Sequence, residues 1–147
     1  MIVSTWEGYG STVKKHTIEV RVRYAETDQM GIVYHTNHLV WFEVARTEFF
    51  RSLGLPYTEL EKKGYYLPVV KAHCEYKAHL GYDDEATVTA YIGAQKGTRI
   101  SFHYEIRKKG TGELVATGYT VHAFMNSAGR PVKVPPEVVK VLEESQD

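Results

Sequence analysis

From His16 to Tyr24 the chain alternates without a break. Ile18, Val20, Val22 and Tyr24 fall on one side, and Thr17, Glu19, Arg21 and Arg23 on the other. A period of two with one apolar face predicts a half-buried strand, its apolar side turned inward. The period then changes. After a loop from Ala25 to Thr36, residues Asn37 to Leu53 follow a helical period. Asn37 or Thr36 is placed to cap the start, and Gly54 and Pro56 end it. That stretch makes about 25 Å of helix. Leu39, Trp41, Phe42, Ala45, Phe49, Phe50 and Leu53 fill about half its circumference, and Val40 and Val44 add apolar surface on another side. A helix this apolar is one that other structure wraps. Arg46 falls inside the apolar arc, a local inconsistency.

Pro56 to Lys63 predicts a short second helix ending at Gly64. The rest reads as strands. Leu67–His79 alternates through Val70, Ala72, Cys74, Tyr76 and Ala78, with Cys74 on the apolar face. Glu85–Ala94 alternates through Val88, Ala90 and Ile92, Ile100–Arg107 through Phe102, Tyr104 and Ile106, and Leu114–Met125 completes the set. Turn residues at Gly81–Asp84, Lys96–Thr98 and Lys109–Gly112 separate them, so consecutive strands are expected to pair as antiparallel hairpins. Pro135-Pro136 opens a terminal helix, Glu137–Glu143. The architecture this predicts is α+β: an antiparallel sheet of about five strands wrapped around one long buried helix. Residues 1–15 read as a flexible arm that Trp6 and Tyr9 pin to a surface, and 16–147 as one domain.

Composition narrows the function classes. The 147 residues suffice for one domain with a real core. Lys plus Arg and Asp plus Glu are 18 each, which argues against a basic nucleic-acid binder and an acidic disordered chain. Cys74 is the single cysteine, so no intrachain disulfide forms. No apolar run approaches a membrane span, and the first residues lack the pattern of a signal peptide, so the cytoplasm is the expected compartment. Tyr occurs 11 times, which favours strands and interfaces. One helix cannot cover both faces of the sheet, so a homo-oligomer is expected.

The loop ahead of the long helix carries the candidate chemistry: Thr27-Asp28-Gln29-Met30-Gly31-Ile32-Val33-Tyr34-His35. A helix N-terminus offers unpaired N–H groups and partial positive charge, and a carbonyl held there is polarised. A carboxylate such as Asp28 nearby can attack that carbonyl or activate water. It can equally be a turn aspartate that accepts from local N–H groups. Spacing alone leaves both open.

Arg21-Val22, Thr27-Asp28 and Gly31-Ile32-Val33-Tyr34-His35 together closely resemble the signature of the 4-hydroxybenzoyl-CoA thioesterase family. Val40–Glu48 resembles its continuation in bacterial acyl-CoA thioesterases, including the Tol–Pal-associated group. The likeness runs from about Thr17 to Lys133. It implies a hotdog fold assembled as a dimer or a dimer of dimers, and hydrolysis of an acyl-CoA to a carboxylic acid and free CoA. It makes Asp28 the nucleophile or general base and puts the carbonyl-polarising backbone N–H at His35, with no cofactor beyond the CoA of the substrate. Gly31 gives a tight backbone path past the ligand, or is an ordinary turn glycine; Tyr34 and the His35 imidazole are candidates to line the pocket. Gln29 and Met30 depart from the hydroxybenzoyl enzymes, whose residues there are smaller and turn-forming.

CoA carries phosphates, so its site should be basic. Residues 93–140 hold eight basic residues and three acidic ones, which makes that stretch +5 and the remainder −5. Lys96, Gly97, Thr98 and Arg99 form a hairpin turn resembling the one that meets CoA, and Asn126, Arg130 and Lys133 follow the last strand as candidate phosphate ligands. Lys108 and Lys109 read as a solvated hairpin tip. Glu43 and Arg46 read as a buried or interface ion pair holding the helix in its sheet. His35 and His38 with Asp28 are too few for a metal site. His103 and His122 read as surface or interface histidines. A non-catalytic acyl-CoA-binding regulatory protein and a hydratase of the same fold are the competing readings; the intact Thr27-Asp28 disfavours the first and the thioesterase pattern of the loop the second.

Overall fold

A computed structural model describes residues 14–144. The expected arm, with Trp6 and Tyr9, lies outside the described residues except at Lys14 and Lys15, and Lys15 already opens the first strand. Five strands form one antiparallel sheet: β1 (Lys15–Arg21), β2 (Val69–Tyr76), β3 (Glu85–Lys96), β4 (Arg99–Lys108) and β5 (Leu114–Ala123). Their order is β1-β3-β4-β5-β2. β3, β4 and β5 are hairpin neighbours, as the turns predict. β2 is not a hairpin partner of β3; it forms the far edge and pairs with β5. The segment 77–84 crosses the end of the sheet instead of reversing on itself. It buries Leu80 and is tied to the end of β1 by Val22 N–H to Asp84 O and Asp83 N–H to Val22 O, each 2.9 Å.

The long helix, α1 (Asn37–Ser52), lies on the inner face, followed by α2 (Tyr57–Lys62); α3 (Pro136–Glu144) closes the described chain. Ala86, Val88, Ala90 and Ile92 of β3 and Ile100, Phe102, Tyr104 and Ile106 of β4 are all buried beneath α1 and its flanking elements. Phe42 stacks on Tyr104 with ring centroids 4.4 Å apart, and Phe49 and Phe50 meet Phe102 edge-on. Each fully buried aromatic contributes roughly 1.5–3 kcal/mol by removal from water. Gly118 on β5 sets the seat of the helix. A Cβ there would lie 2.5 Å from the Phe42 ring and 2.5 Å from the His73 carbonyl oxygen, so the ring occupies the space a side chain would need.

Four expectations change. β1 stops at Arg21, and Tyr24 turns outward to stack on Tyr82 at 3.7 Å. Leu39, Val40 and Val44 on α1 remain exposed within one protomer. β2 is exposed on both faces apart from half-buried Cys74; α1 meets it at Tyr76, whose ring packs edge-on against His38, and a bulge breaks its register between Val69 and Lys71. Among the described residues no side chain caps α1: Thr36 makes no such bond, and the Asn37 side-chain amide is engaged elsewhere.

Arg46 and His122 differ most from expectation. Arg46 is buried but has no ion pair with Glu43, which faces solvent. Its Nε donates to the Tyr57 hydroxyl (2.7 Å) and its Nη1 to the Tyr104 hydroxyl (3.2 Å). Tyr104 continues to Thr120 Oγ1 (2.7 Å), Thr120 meets His122 Nε2 (2.8 Å), and His122 Nδ1 meets the Leu67 carbonyl oxygen (3.2 Å). His122 is fully buried on the inner face, because the alternation of β5 puts it in phase with Ala116, Gly118 and Thr120. The guanidinium has no lone pair to accept with, and the Leu67 carbonyl has no proton to give. Burial and the nearby Arg46 charge push the His122 pKa down from 6.5 to about 4, which favours the neutral imidazole. With His122 neutral, its single ring proton sits on Nδ1 to reach the Leu67 carbonyl, and the bonds run one way: Arg46 to Tyr104 to Thr120 to His122 to Leu67.

Candidate active site

The chain leaves β1 through Val22, makes a single 3-10 turn at Tyr24–Glu26, and enters a tight loop. Thr27 and Val33 pair across it, Asp28 N–H donates to Ile32 O at 2.8 Å, and Gly31 N–H to Asp28 O at 3.0 Å. Gly31 has φ of 81°, the left-handed region, so glycine is required by the backbone whatever binds there. Asp28 Oδ1 accepts from Met30 N–H (2.8 Å) and Ile32 N–H (3.4 Å). The turn reading of Asp28 is therefore correct for one oxygen. The other, Oδ2, accepts no hydrogen bond from the described residues, and the side chain is half-buried. The turn bonds therefore anchor the carboxylate through Oδ1 and leave Oδ2 open.

Val33 N–H to Leu80 O (2.9 Å) and the Ile32–Gly81 bridge fasten the loop to the crossing segment. Tyr34 and His35 then lead into α1 with both side chains exposed and their rings 4.5 Å apart. The His35 N–H donates to nothing among the described residues. Its carbonyl is held twice, by the Tyr76 hydroxyl of β2 (2.6 Å) and by His38 Nδ1 (3.1 Å). His38 is buried, and burial lowers its pKa, so it is the neutral ring whose Nδ1–H donates here.

Glu26 is the residue that sequence reasoning missed. It is buried at 6% exposure, two residues before Asp28. Its carboxylate accepts from Arg23 N–H (2.8 Å) and Trp41 Nε1–H (3.2 Å), with the Arg23 guanidinium at 3.3 Å. Its carbonyl accepts from Tyr34 N–H (2.8 Å) and the Asn37 amide (3.0 Å). Burial raises the Glu26 pKa, but the Arg23 and Trp41 donors outweigh it and hold the carboxyl below its usual 4.5. The signal available in sequence was Trp41, an inward-facing indole that needs an acceptor.

The basic candidates gather elsewhere. Lys96–Arg99 forms the β3–β4 turn, with Gly97 at φ 61°. Phe124 N–H to Thr98 O (2.8 Å) and Val134 N–H to Gly97 O (3.0 Å) fasten the segment after β5 against it. Asn126 uses its side chain within that segment: Oδ1 accepts from the N–H groups of Ala128 and Arg130, both at 3.0 Å. Among the described residues Lys96, Arg99, Arg130 and Lys133 have no carboxylate partner, whereas Lys109 is paired with Glu19 and Glu85. Beside them a groove of about 550 Å³ runs between α2 and the start of β2, walled by Tyr57, Tyr65, Tyr66, Phe124 and Met125, with Asn126 at its rim. The structure thus joins the Lys96–Arg99 turn to Asn126, Arg130 and Lys133, but not to Asp28. The Asp28 loop lies toward the Glu85 end of β3 and the basic turn at its Lys96 end, and twelve residues of strand span roughly 36 Å.

A thioesterase-like superfamily model matches residues 22–142. A protein of Bacillus subtilis (strain 168), provisionally named acyl-CoA thioesterase YneP, is 45% identical over 104 residues, which is 71% of this chain and 75% of that one. Acyl-CoA thioesterase YbgC of Haemophilus influenzae is 33% identical over 122 residues, 81% of this chain and 88% of that one. Among solved structures, the DHNA-CoA thioesterase of Staphylococcus aureus superposes with a TM-score of 0.84 at 32% identity, over 90% of this chain and 91% of that one.

Proposed function

This chain belongs to the thioesterase-like superfamily, with the hotdog fold of that family, and from that premise we propose that it hydrolyses an acyl-CoA thioester, with Asp28 supplying the carboxylate. The CoA class follows the relatives' names; the residue roles are those the family resemblance implies, and the open groups of the loop support them. The carrying observation is that Asp28 Oδ2 and the His35 N–H lie on one short loop, each without a protein partner among the described residues. In the general-base route, Asp28 takes a proton from water as the oxygen attacks the thioester carbon. The His35 N–H stabilises the charge that develops on the carbonyl oxygen. The C–S bond then breaks and CoA leaves as its thiolate, taking up a proton. In the nucleophilic route Oδ2 attacks directly, and water cleaves the resulting anhydride. Oxygen-18 incorporation into Asp28 during a single turnover separates the two.

The working unit in this proposal is a homodimer, or a dimer of dimers, with acyl-CoA as its only other partner. Among the described residues β2 presents an unpaired edge. The Tyr76 end of that strand touches His35 and the Val69 end adjoins the aromatic groove, about 26 Å away over eight residues. Antiparallel pairing of two β2 edges about a two-fold axis sets the groove and basic rim of one copy against the Asp28 loop of the other. Lys96, Arg99, Arg130 and Lys133 then hold the CoA phosphates, the Gly97 and Thr98 backbone and Asn126 contact the pantetheine arm, and Gly31 and Tyr34 border the acyl group.

The test is colorimetric thiol release from a panel of acyl-CoAs. Wild type is expected to turn over at least one, and Asp28→Asn to lower kcat by roughly 10²–10⁴-fold with folding unchanged. Tight binding without thiol release would make the chain a regulatory acyl-CoA binder instead.

A further inference from the structure

We propose that Glu26 is a positioning residue that sets the distance between the Asp28 carboxylate and the N-terminus of α1; the inference rests on the hydrolytic reading above. Asp28 and the His35 N–H sit on different arms of one loop, and no direct bond joins them. Both arms are tied to Glu26. The Asp28 arm follows it by two residues. The His35 arm is bound to its carbonyl through Tyr34 N–H at 2.8 Å and the Asn37 amide at 3.0 Å. Its carboxylate then fixes the whole joint to the helix body through Trp41 Nε1–H at 3.2 Å and to the end of β1 through Arg23 N–H at 2.8 Å.

A carboxylate is an unusual adhesive in a buried place, because removing its charge from water is unfavourable. Part of that cost is met by the Arg23 guanidinium, but Arg23 is mostly exposed, and such pairs contribute little. The chemistry of the donors explains the choice. Arg23 N–H and Trp41 Nε1–H are both donors, so the group between them must accept with two oxygens. A glutamine would present its NH₂ to one of them. Ionised acceptors also make shorter and stronger bonds, which suits a joint that must not give. A reaction between bound groups loses about 10²-fold for 1 Å of misplacement, so tightness here is expressed in turnover.

The experiment compares Glu26→Gln, Trp41→Phe and the double variant, with Asp28→Asn alongside. On an acyl-CoA that wild type cleaves, each single variant is expected to lower kcat by roughly 10- to 100-fold while KM changes by less than about twofold. The double variant should be no slower than the slower single, because both cut one link. Wild-type kcat in Glu26→Gln and Trp41→Phe, with Asp28→Asn inactive, would leave hydrolysis standing and overturn this inference. Multiplying losses in the double variant would also overturn it. A merely structural Glu26 lowers the melting temperature without changing kcat per folded molecule. Should Glu26→Gln fail to fold, Trp41→Phe carries the same kinetic readout. If no acyl-CoA is cleaved, or Asp28→Asn is fully active, the hydrolytic reading falls, and amide exchange decides the joint alone. The Tyr34 backbone amide, which donates to the Glu26 carbonyl, is then expected to exchange faster in Trp41→Phe while α1 is unaffected, and unchanged exchange there refutes it.

Discussion

Two charged side chains are buried against α1, and they are buried in opposite ways. Glu26, 6% exposed, sits ahead of the helix and is held by N–H donors from Arg23, three residues before it, and from Trp41 in the first turns of α1. Arg46, 7% exposed, sits mid-helix and is held by hydroxyls from α2 and β4, 11 and 58 residues away. Each charge is tolerable because groups of the right polarity meet it: N–H donors at the Glu26 carboxylate, and hydroxyl oxygens at Arg46 Nε and Nη1. The difference lies in what each bond network joins. The Glu26 network joins a loop to the helix that follows it, which is a local adjustment of the proposed reactive site. The Arg46 network joins the helix to the sheet, which is the fold itself. Damage at the first should appear in turnover and at the second in stability.

Acid titration is expected to give the larger separation. His122 ends the Arg46 relay with a pKa of about 4, below its ordinary 6.5. As pH falls through 6.5 the unfolded chain takes up this proton before the folded one does. His122 should therefore cost stability between pH 6.5 and about 4, by about 3 kcal/mol on its own account, with His38 and His103, also lowered by burial, adding to the fall in the same direction. The Glu26 carboxyl is shifted below 4.5, so its contribution is complete above that pH and is lost only on further acidification. Urea midpoints at pH 7.0, 5.5 and 4.5 measure the first effect, and His122→Phe should flatten the slope. A wild-type midpoint constant over that range would erase the contrast.

A smaller effect, about 1–3 kcal/mol, is expected for Tyr104→Phe, which leaves Arg46 Nη1 and Thr120 each short of a partner. The urea midpoint should drop while kcat per folded molecule stays at the wild-type value. An equal loss of turnover would mean that the two networks are not separable.

The smallest effect belongs to the exposed cations. Lys96→Ala combined with Arg130→Ala is expected to raise KM for acyl-CoA by a few-fold at low salt and to lose that difference near 0.5 M salt, as screening of surface charge requires. Neither buried network should respond to salt in this way. A KM that is salt-independent in wild type would remove the basic turn from the binding site.

The sequence disclosed what periodicity can carry. The strands at Glu85–Lys96 and Arg99–Lys108 alternate cleanly, and their buried positions were legible before any coordinates. Arg46 was legible as a problem, since a charge within an apolar arc demands an explanation, but its phenol partners lie far along the chain and no local pattern links them. β2 alternates as well as any strand, yet it lies on the edge, because periodicity reports a face and not a neighbour. The loop was legible at Asp28 through resemblance. It was silent at Glu26, because a loop has no period against which a buried carboxylate stands out.

The one-way chain from Arg46 to Leu67 has a consequence for how this sequence can drift. Tyr104, Thr120 and His122 each give a proton to the next and take one from the last. A substitution that reverses or removes one hydroxyl strands its neighbours in a buried site. Accepted changes at these positions should arrive together, so that in descent the relay is inherited as one character, carried by four separate elements of the chain.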